Sequence, residues 1–190
     1  MNGCCLEGAE RLVSSLDRAV QYDTVQEITS QVKDCLSRLI SSGEVSLPEE
    51  ICSPLSDCYA RRLVHRSPDW GYEVIAMIWG PGQRTPLHDH AGIWCVEGVF
   101  QGEIEVCQYD LVESSGDLFR FKPCDVAHAH LGEAGSLIPP YEYHTIANFL
   151  PDQTSITIHV YGGGMEVCHA FMPMKGGWFR REQKRLEYHS

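Results

Sequence analysis

His88 and His90 stand one residue apart in the stretch WGPGQRTPLHDHAGIWCVEGVFQG, after a Gly-Pro-Gly turn and before a run that alternates apolar and polar side chains. Neutral imidazole is the commonest protein metal ligand. If the stretch is extended, both rings point the same way, because strand side chains repeat every second residue, and the pair makes half of a metal site. A third ligand has few candidates. His144 opens the run YHTIANF, with Asn148 four positions on. A competing pair, His128 and His130, lacks flanking glycines and a downstream asparagine, so it reads as a strand pair away from any metal. His65, His169 and His189 have no patterned partners and read as structural or solvent-exposed. Thr157, His159 and Tyr161 alternate through SITIHVY, so hydroxyl, imidazole and phenol share one strand face and can hydrogen-bond in a row. Tyr59 and Arg61 alternate in the same way. A guanidinium is a rigid fork suited to a carboxylate, although a strand arginine is otherwise usually a surface charge.

These side chains need strands to carry them, and the chain supplies many. Short runs rich in Val, Ile, Tyr and Trp predict strands at 59–65, 72–79, 94–100, 103–110, 118–121, 126–130, 143–148, 155–161 and 165–172. The pattern is that of a mainly β sandwich or barrel. Residues 1–45 read instead as two amphipathic helices. Leu12, Val13, Leu16 and Val20 mark the first, Thr24 with Glu27 caps the second, and Gly43 ends it. Such helices are expected to cover one sheet. No repeat or low-complexity linker interrupts the chain, so one domain is expected over 1–190, helical over 1–45 and a β-barrel over 58–175.

The spacing of Gly82, His88, His90, Cys95 and Gly102 resembles the first motif of the cupins, with cysteine where most cupins carry a glutamate ligand. His144 and Asn148, preceded by Pro139, resemble the second motif, although Tyr141 stands where glycine is preferred. The implied fold is a cupin jelly roll with N-terminal helices packed on one sheet. Within the cupins, residues 58–161 resemble the thiol dioxygenase family, the cysteine dioxygenases most closely. That resemblance implies iron(II) on His88, His90 and His144, and a Ser-x-His-x-Tyr strand here occupied by Thr157, His159 and Tyr161. It further implies that Arg61, beside Tyr59, binds the substrate carboxylate; relatives preferring 3-mercaptopropionate tend to carry glutamine there. Cys95 matches the cysteine that forms a thioether with the tyrosine in animal enzymes, though by itself it reads as an inert buried thiol. Gly162-Gly163-Gly164 departs from the serine and prolines of the animal enzymes, so the pocket loop is expected to differ.

The implied activity is oxidation of a small carboxylated thiol, L-cysteine first, by O2 to the sulfinic acid. A 3-mercaptopropionate or mercaptosuccinate dioxygenase, or a non-catalytic metal-binding cupin module, are the alternatives. A plain binding module has no reason to combine Arg61, Cys95 and Tyr161. Acidic residues outnumber basic ones 26 to 15, for a formal charge of −11, which argues against nucleic acid or an anionic membrane as partner. Nine cysteines, an odd number with no Cys-x-x-Cys pair, fit a cytoplasmic setting with mostly free thiols. A monomer or weak oligomer is expected.

Overall fold

The computed structural model describes residues 8–140 and 142–189; the first seven residues of the expected helical segment, and Tyr141, lie outside it. Two helices come first, α1 (Glu10–Ala19) and α2 (Val25–Ser41). The capping box foreseen at α2 is present: Glu27 N–H donates to Thr24 Oγ1 at 3.2 Å while Glu27 Oε2 accepts from the Thr24 backbone N–H at 3.2 Å. At the other end Gly43, with φ of 69°, donates to the Ile40 carbonyl and Glu44 donates to that of Leu39, a left-handed closure that a Cβ would strain.

Eleven strands follow among the described residues: β1 (Ala60–Arg66), β2 (Glu73–Trp79), β3 (Leu87–His88), β4 (Cys95–Gln101), β5 (Glu103–Ser115), β6 (Leu118–His130), β7 (Ala134–Leu137), β8 (His144–Ala147), β9 (Ser155–Tyr161), β10 (Val167–Pro173) and β11 (Phe179–Arg185). They make two antiparallel sheets. One runs β1-β2-β9-β4-β7; the other runs β10-β11-β6-β5-β8-β3 and closes on itself where β3 pairs with β10. This is the mainly β, two-sheet cupin arrangement expected, with helices on one sheet.

The helices explain why β2 and β9 are buried on both faces. Leu12, Leu16, Leu36 and Leu39 pack on the outer side chains Val74, Ala76, Ile78, Ile156, Ile158 and Val160. The alternate residues Ile75, Met77, Trp79, Cys95, Val99 and Tyr161 face inward between the sheets. β4 passes close beneath α2 at Gly98, where an added Cβ would meet Ile40 Cδ1 at 3.3 Å. Leu36 is fully buried in this layer. Leu36→Ala is expected to cost about 2–5 kcal/mol, read as a lowered urea midpoint, because the site can collapse only partly around the lost volume.

Three differences from the sequence reading have physical causes. The two strands expected at 118–121 and 126–130 are one, β6, which crosses Pro123 through an irregularity in its pairing with β5 between Gln108 and Tyr109. A bulge absorbs a residue that cannot donate to the ladder. β7 and β11 were not foreseen, and β11 carries the sheets beyond residue 175. β11 is largely exposed and polar and β7 is only four residues long, so neither shows the alternation that marks a half-buried strand. Finally, His88 and His90 do not share a strand, because β3 ends at His88.

Candidate metal centre

His88 reaches the barrel interior from the end of β3, and His90 from the turn that follows. Ala91 and Gly92 take φ of 53° and 82° there, which swings the chain around. The turn is pinned by Asp89. Its Oδ1 accepts from the backbone N–H groups of Ala91 and His169, and its Oδ2 lies 2.9 Å from His169 Nδ1. His169 is thus structural, as expected. His144, at the start of β8, is the direct cross-strand partner of His88.

The three rings converge. Their centroids lie 4.5–5.4 Å apart, and one ligand nitrogen of each falls within 4.8 Å of the others. His88 Nδ1 lies 3.1 Å from the Pro86 carbonyl, an acceptor only, so Nδ1 carries the proton and Nε2 is a lone pair. That lone pair faces His144 Nε2 at 3.2 Å. Two nitrogens bound to one ion at about 2.0–2.1 Å are separated by about 3 Å when they are neighbouring ligands. Both His90 nitrogens and His144 Nδ1 are buried without a hydrogen bond. Burial holds His88 at about 4 and His90 and His144 well below 6.5, so all three stay neutral. Neutral, converging, under-satisfied imidazoles fit a metal ion.

Beside them β9 presents its row. The Trp79 indole N–H donates to Thr157 Oγ1 at 2.9 Å, which leaves the threonine hydroxyl to donate to His159 Nε2 at 2.8 Å. His159 then carries its proton on Nδ1, 3.3 Å from the Tyr161 hydroxyl oxygen. Tyr161 accepts there and keeps its own O–H to donate. Burial first, then Cys95, raises its pKa well above 10, so the phenol stays protonated. Its ring lies 5.6 Å from that of His90.

Arg61, Tyr59, His88, His90, His159 and Tyr161 line one narrow cleft with about 20 Å³ of free space. Arg61 is buried, its Nη1 and Nη2 donating to the carbonyls of Glu187 and Met165 at 3.3 and 3.2 Å. Two of five N–H groups are thereby used, and three remain. Arg62 donates to the Ser53 carbonyl instead and does not line the cleft. The rival pair His128 and His130 is half-exposed on β6, facing Glu105 and Glu103 at 3.4 and 3.5 Å.

Residues 55–173 match the family described as cysteine dioxygenase type I. The chain belongs to that family. Among curated relatives, human cysteine dioxygenase type 1 is 21% identical over 140 residues, covering 70% of this chain and 63% of that protein. The bovine protein is 21% identical over 121 residues, covering 60% of this chain and 55% of its own. A solved Klebsiella pneumoniae protein with a double-stranded β-helix domain has a TM-score of 0.46 at 21% identity, over 60% of this chain and 79% of its own.

Two features bear on the cysteine dioxygenase resemblance. Cys95 on β4 and Tyr161 on β9 are direct cross-strand partners, the register that brings a cysteine against a tyrosine. Gly162, where the animal enzymes carry serine, lies under Trp94, whose indole occupies the space a side chain would need. The glycine departure is thus a packing match with Trp94. Sequence reasoning passed over Trp79, Asp89 and the buried Glu97. Glu97 had a signal, since it lies two residues after Cys95 on the same strand face.

Buried imidazoles set the pH response of the metal-free protein. Burial first lowers His159 to about 3, as it lowers His88, His90 and His144. A folded-state pKa below the unfolded value contributes stability that is complete above pH 6.5 and lost as pH falls toward 4. Glu97 and Glu142, which burial pushes up to about 8 and about 7, act in the opposite sense. Four imidazoles outweigh two carboxyls. Unfolding near pH 5.5 is expected to take up about two protons net from these groups, seen as a urea midpoint that rises from pH 5 to 6. A midpoint that falls over that interval contradicts the burial of the four rings.

All seven cysteines among the described residues are free, and no helix among those residues is long and apolar enough to cross a membrane.

Proposed function

We propose that this chain is an iron(II)-dependent thiol dioxygenase, one cupin domain along its length, that converts a small carboxylated thiol and O2 into the sulfinic acid. L-Cysteine is the first candidate substrate. The observation that carries the reading is the convergence of His88, His90 and His144 in the same small cleft as Arg61 and the Tyr161 hydroxyl. Bound at the three imidazoles, iron would supply the positive charge that lets the substrate thiol bind as thiolate at neutral pH and the redox chemistry that O2 requires.

The chain's own residues do the positioning. Arg61 directs its remaining N–H donors at the substrate carboxylate, which orients the sulfur toward the histidines and removes part of the entropy of bringing the reactants together. Tyr161 donates its hydroxyl proton as a hydrogen bond into the cleft, held in that sense by the Trp79-Thr157-His159 chain of donors. Met77, Met165 and Cys168 are among the other side chains that line the cleft. Cys95 and Tyr161 are proposed to form a thioether in a fraction of molecules. Loss of the thiol hydrogen and one ring hydrogen, with O2 as the two-electron oxidant, would leave those molecules two hydrogens lighter by intact mass after turnover.

Lys184 also lines the cleft. A second cation favours, as the second reading, a thiol with two carboxylates such as mercaptosuccinate. Oxygen uptake and sulfinate formation by the iron-loaded protein with cysteine, 3-mercaptopropionate and mercaptosuccinate tests both readings. Uptake with none of the three overturns the assignment.

A further inference from the structure

Behind the three histidines lies an acid with no counterion. Glu97 points inward from β4 and is 9% exposed. Its Oε1 is 3.9 Å from His144 Nδ1, and its Oε2 is 3.4 Å from His159 Nδ1. Among the described residues no lysine or arginine pairs with it, and both Glu97 Oε2 and His144 Nδ1 are buried without a hydrogen bond. The unsatisfied His144 Nδ1 thus faces one oxygen of the carboxyl, and the other, unsatisfied oxygen faces His159, so one buried side chain stands between two imidazoles.

The placement says which role. The nitrogen of His144 turned toward His88 is Nε2, so the carboxyl sits on the far side of the ring, away from where an ion would be held. An imidazole ligand commonly donates its other ring N–H to a carboxylate or carbonyl, which fixes the tautomer and raises the basicity of the coordinating nitrogen. His88 already has such a partner in the Pro86 carbonyl. Among the described residues His144 Nδ1 has none other than Glu97. The gap is wider than a hydrogen bond, but the terminal torsion of a glutamate is soft, so closing it asks for no backbone movement.

We propose that Glu97 is a positioning carboxyl of the metal centre, accepting the Nδ1–H of His144 and sharing with the Tyr161 hydroxyl oxygen the Nδ1–H of His159. The proposal rests on the reading of His88, His90 and His144 as the metal-holding set. It places a carboxyl acceptor behind a site whose three ligands are neutral, and it joins two parts of the site, the ligand on β8 and the polar row on β9, through a side chain on β4.

Position 97 is open to substitution. Glu97 also lines a cavity of about 310 Å³ on the side of Val99, Ile104, Leu137 and Ile146, so a side chain of changed shape has room. The test compares wild type, Glu97→Gln and Glu97→Leu by cobalt(II) titration of the metal-free proteins, followed in the visible spectrum. In the zinc-loaded, 15N-histidine-labelled proteins, the ring spectra report which nitrogen of His144 carries the proton. Leucine removes the acceptor and is expected to weaken cobalt binding about 10–100-fold. Glutamine, whose amide oxygen can still accept, should fall between leucine and wild type. In wild type the His144 proton should sit on Nδ1. Matched thermal melts of the metal-free proteins separate this effect from unfolding, and if the leucine variant does not fold, the glutamine variant carries the comparison.

Wild-type cobalt affinity in both variants overturns the role of Glu97 while leaving the three-histidine reading intact. A His144 proton on Nε2 in wild type, or a wild-type protein that does not bind cobalt through the histidines, overturns both.

Discussion

His144→Ala is expected to leave a protein that folds but neither retains metal through dialysis against a chelator nor consumes O2 with any thiol. The ring is fully buried, it faces His88 Nε2 at 3.2 Å, and no other histidine among the described residues is placed to take over. Removing a partner behind a ligand typically costs about 10–100-fold in affinity, so removing the ligand should cost more. Thermal melts give an independent readout. Metal at about 100 times its dissociation constant stabilises a folded protein by about 2.7 kcal/mol, and the corresponding rise in melting temperature should vanish in the variant. His128→Ala is the control. It removes half of the second His-x-His pair, exposed on β6, and should change neither metal retention nor the melt. If His128→Ala loses metal and His144→Ala keeps it, the site has been placed in the wrong part of the barrel.

Arg61→Ala should act on a different quantity. A hydrogen-bonded charge pair is worth about 1.5–3 kcal/mol, so KM for a carboxylated thiol should rise about 10- to 150-fold while kcat falls less. Lysine at position 61 should recover only part, because a single ammonium cannot reproduce the fork. A thiol without a carboxylate, such as cysteamine, should show no further rise in KM, which separates carboxylate recognition from general damage to the site. Some loss of stability is also expected. The guanidinium holds the Glu187 and Met165 carbonyls and lies 5.3 Å from the Tyr188 ring centre, while the Arg61 backbone exchanges hydrogen bonds with His189, so this residue helps to tie down the C-terminal segment. Arg62→Ala, whose side chain is bound to the Ser53 carbonyl, should leave KM unchanged.

The amino-acid sequence alone determined the features that depend on short-range geometry. Strand alternation put Thr157, His159 and Tyr161 on one face, and all three do face the interior in register. Helical periodicity and the Thr24-Glu27 box located α2, and the flanking glycines distinguished His88 and His90 from the otherwise similar pair on β6. These patterns are legible because backbone geometry repeats over two or four residues whatever the rest of the chain does.

Tertiary structure decided everything that crosses between strands. That His144 lies against His88, that Cys95 lies against Tyr161, and that Glu97 sits behind two imidazoles all follow from register. Register is chosen by the packing of whole sheets, and a slip of one residue would turn each of these side chains to the opposite face. The same holds for His90. Alternation assigned it to a strand, but β3 ends at His88, two residues earlier, and the contacts of Asp89 with β10 help to aim the ring from a turn. Local pattern therefore told which residues could do chemistry, and long-range pairing told which of them meet.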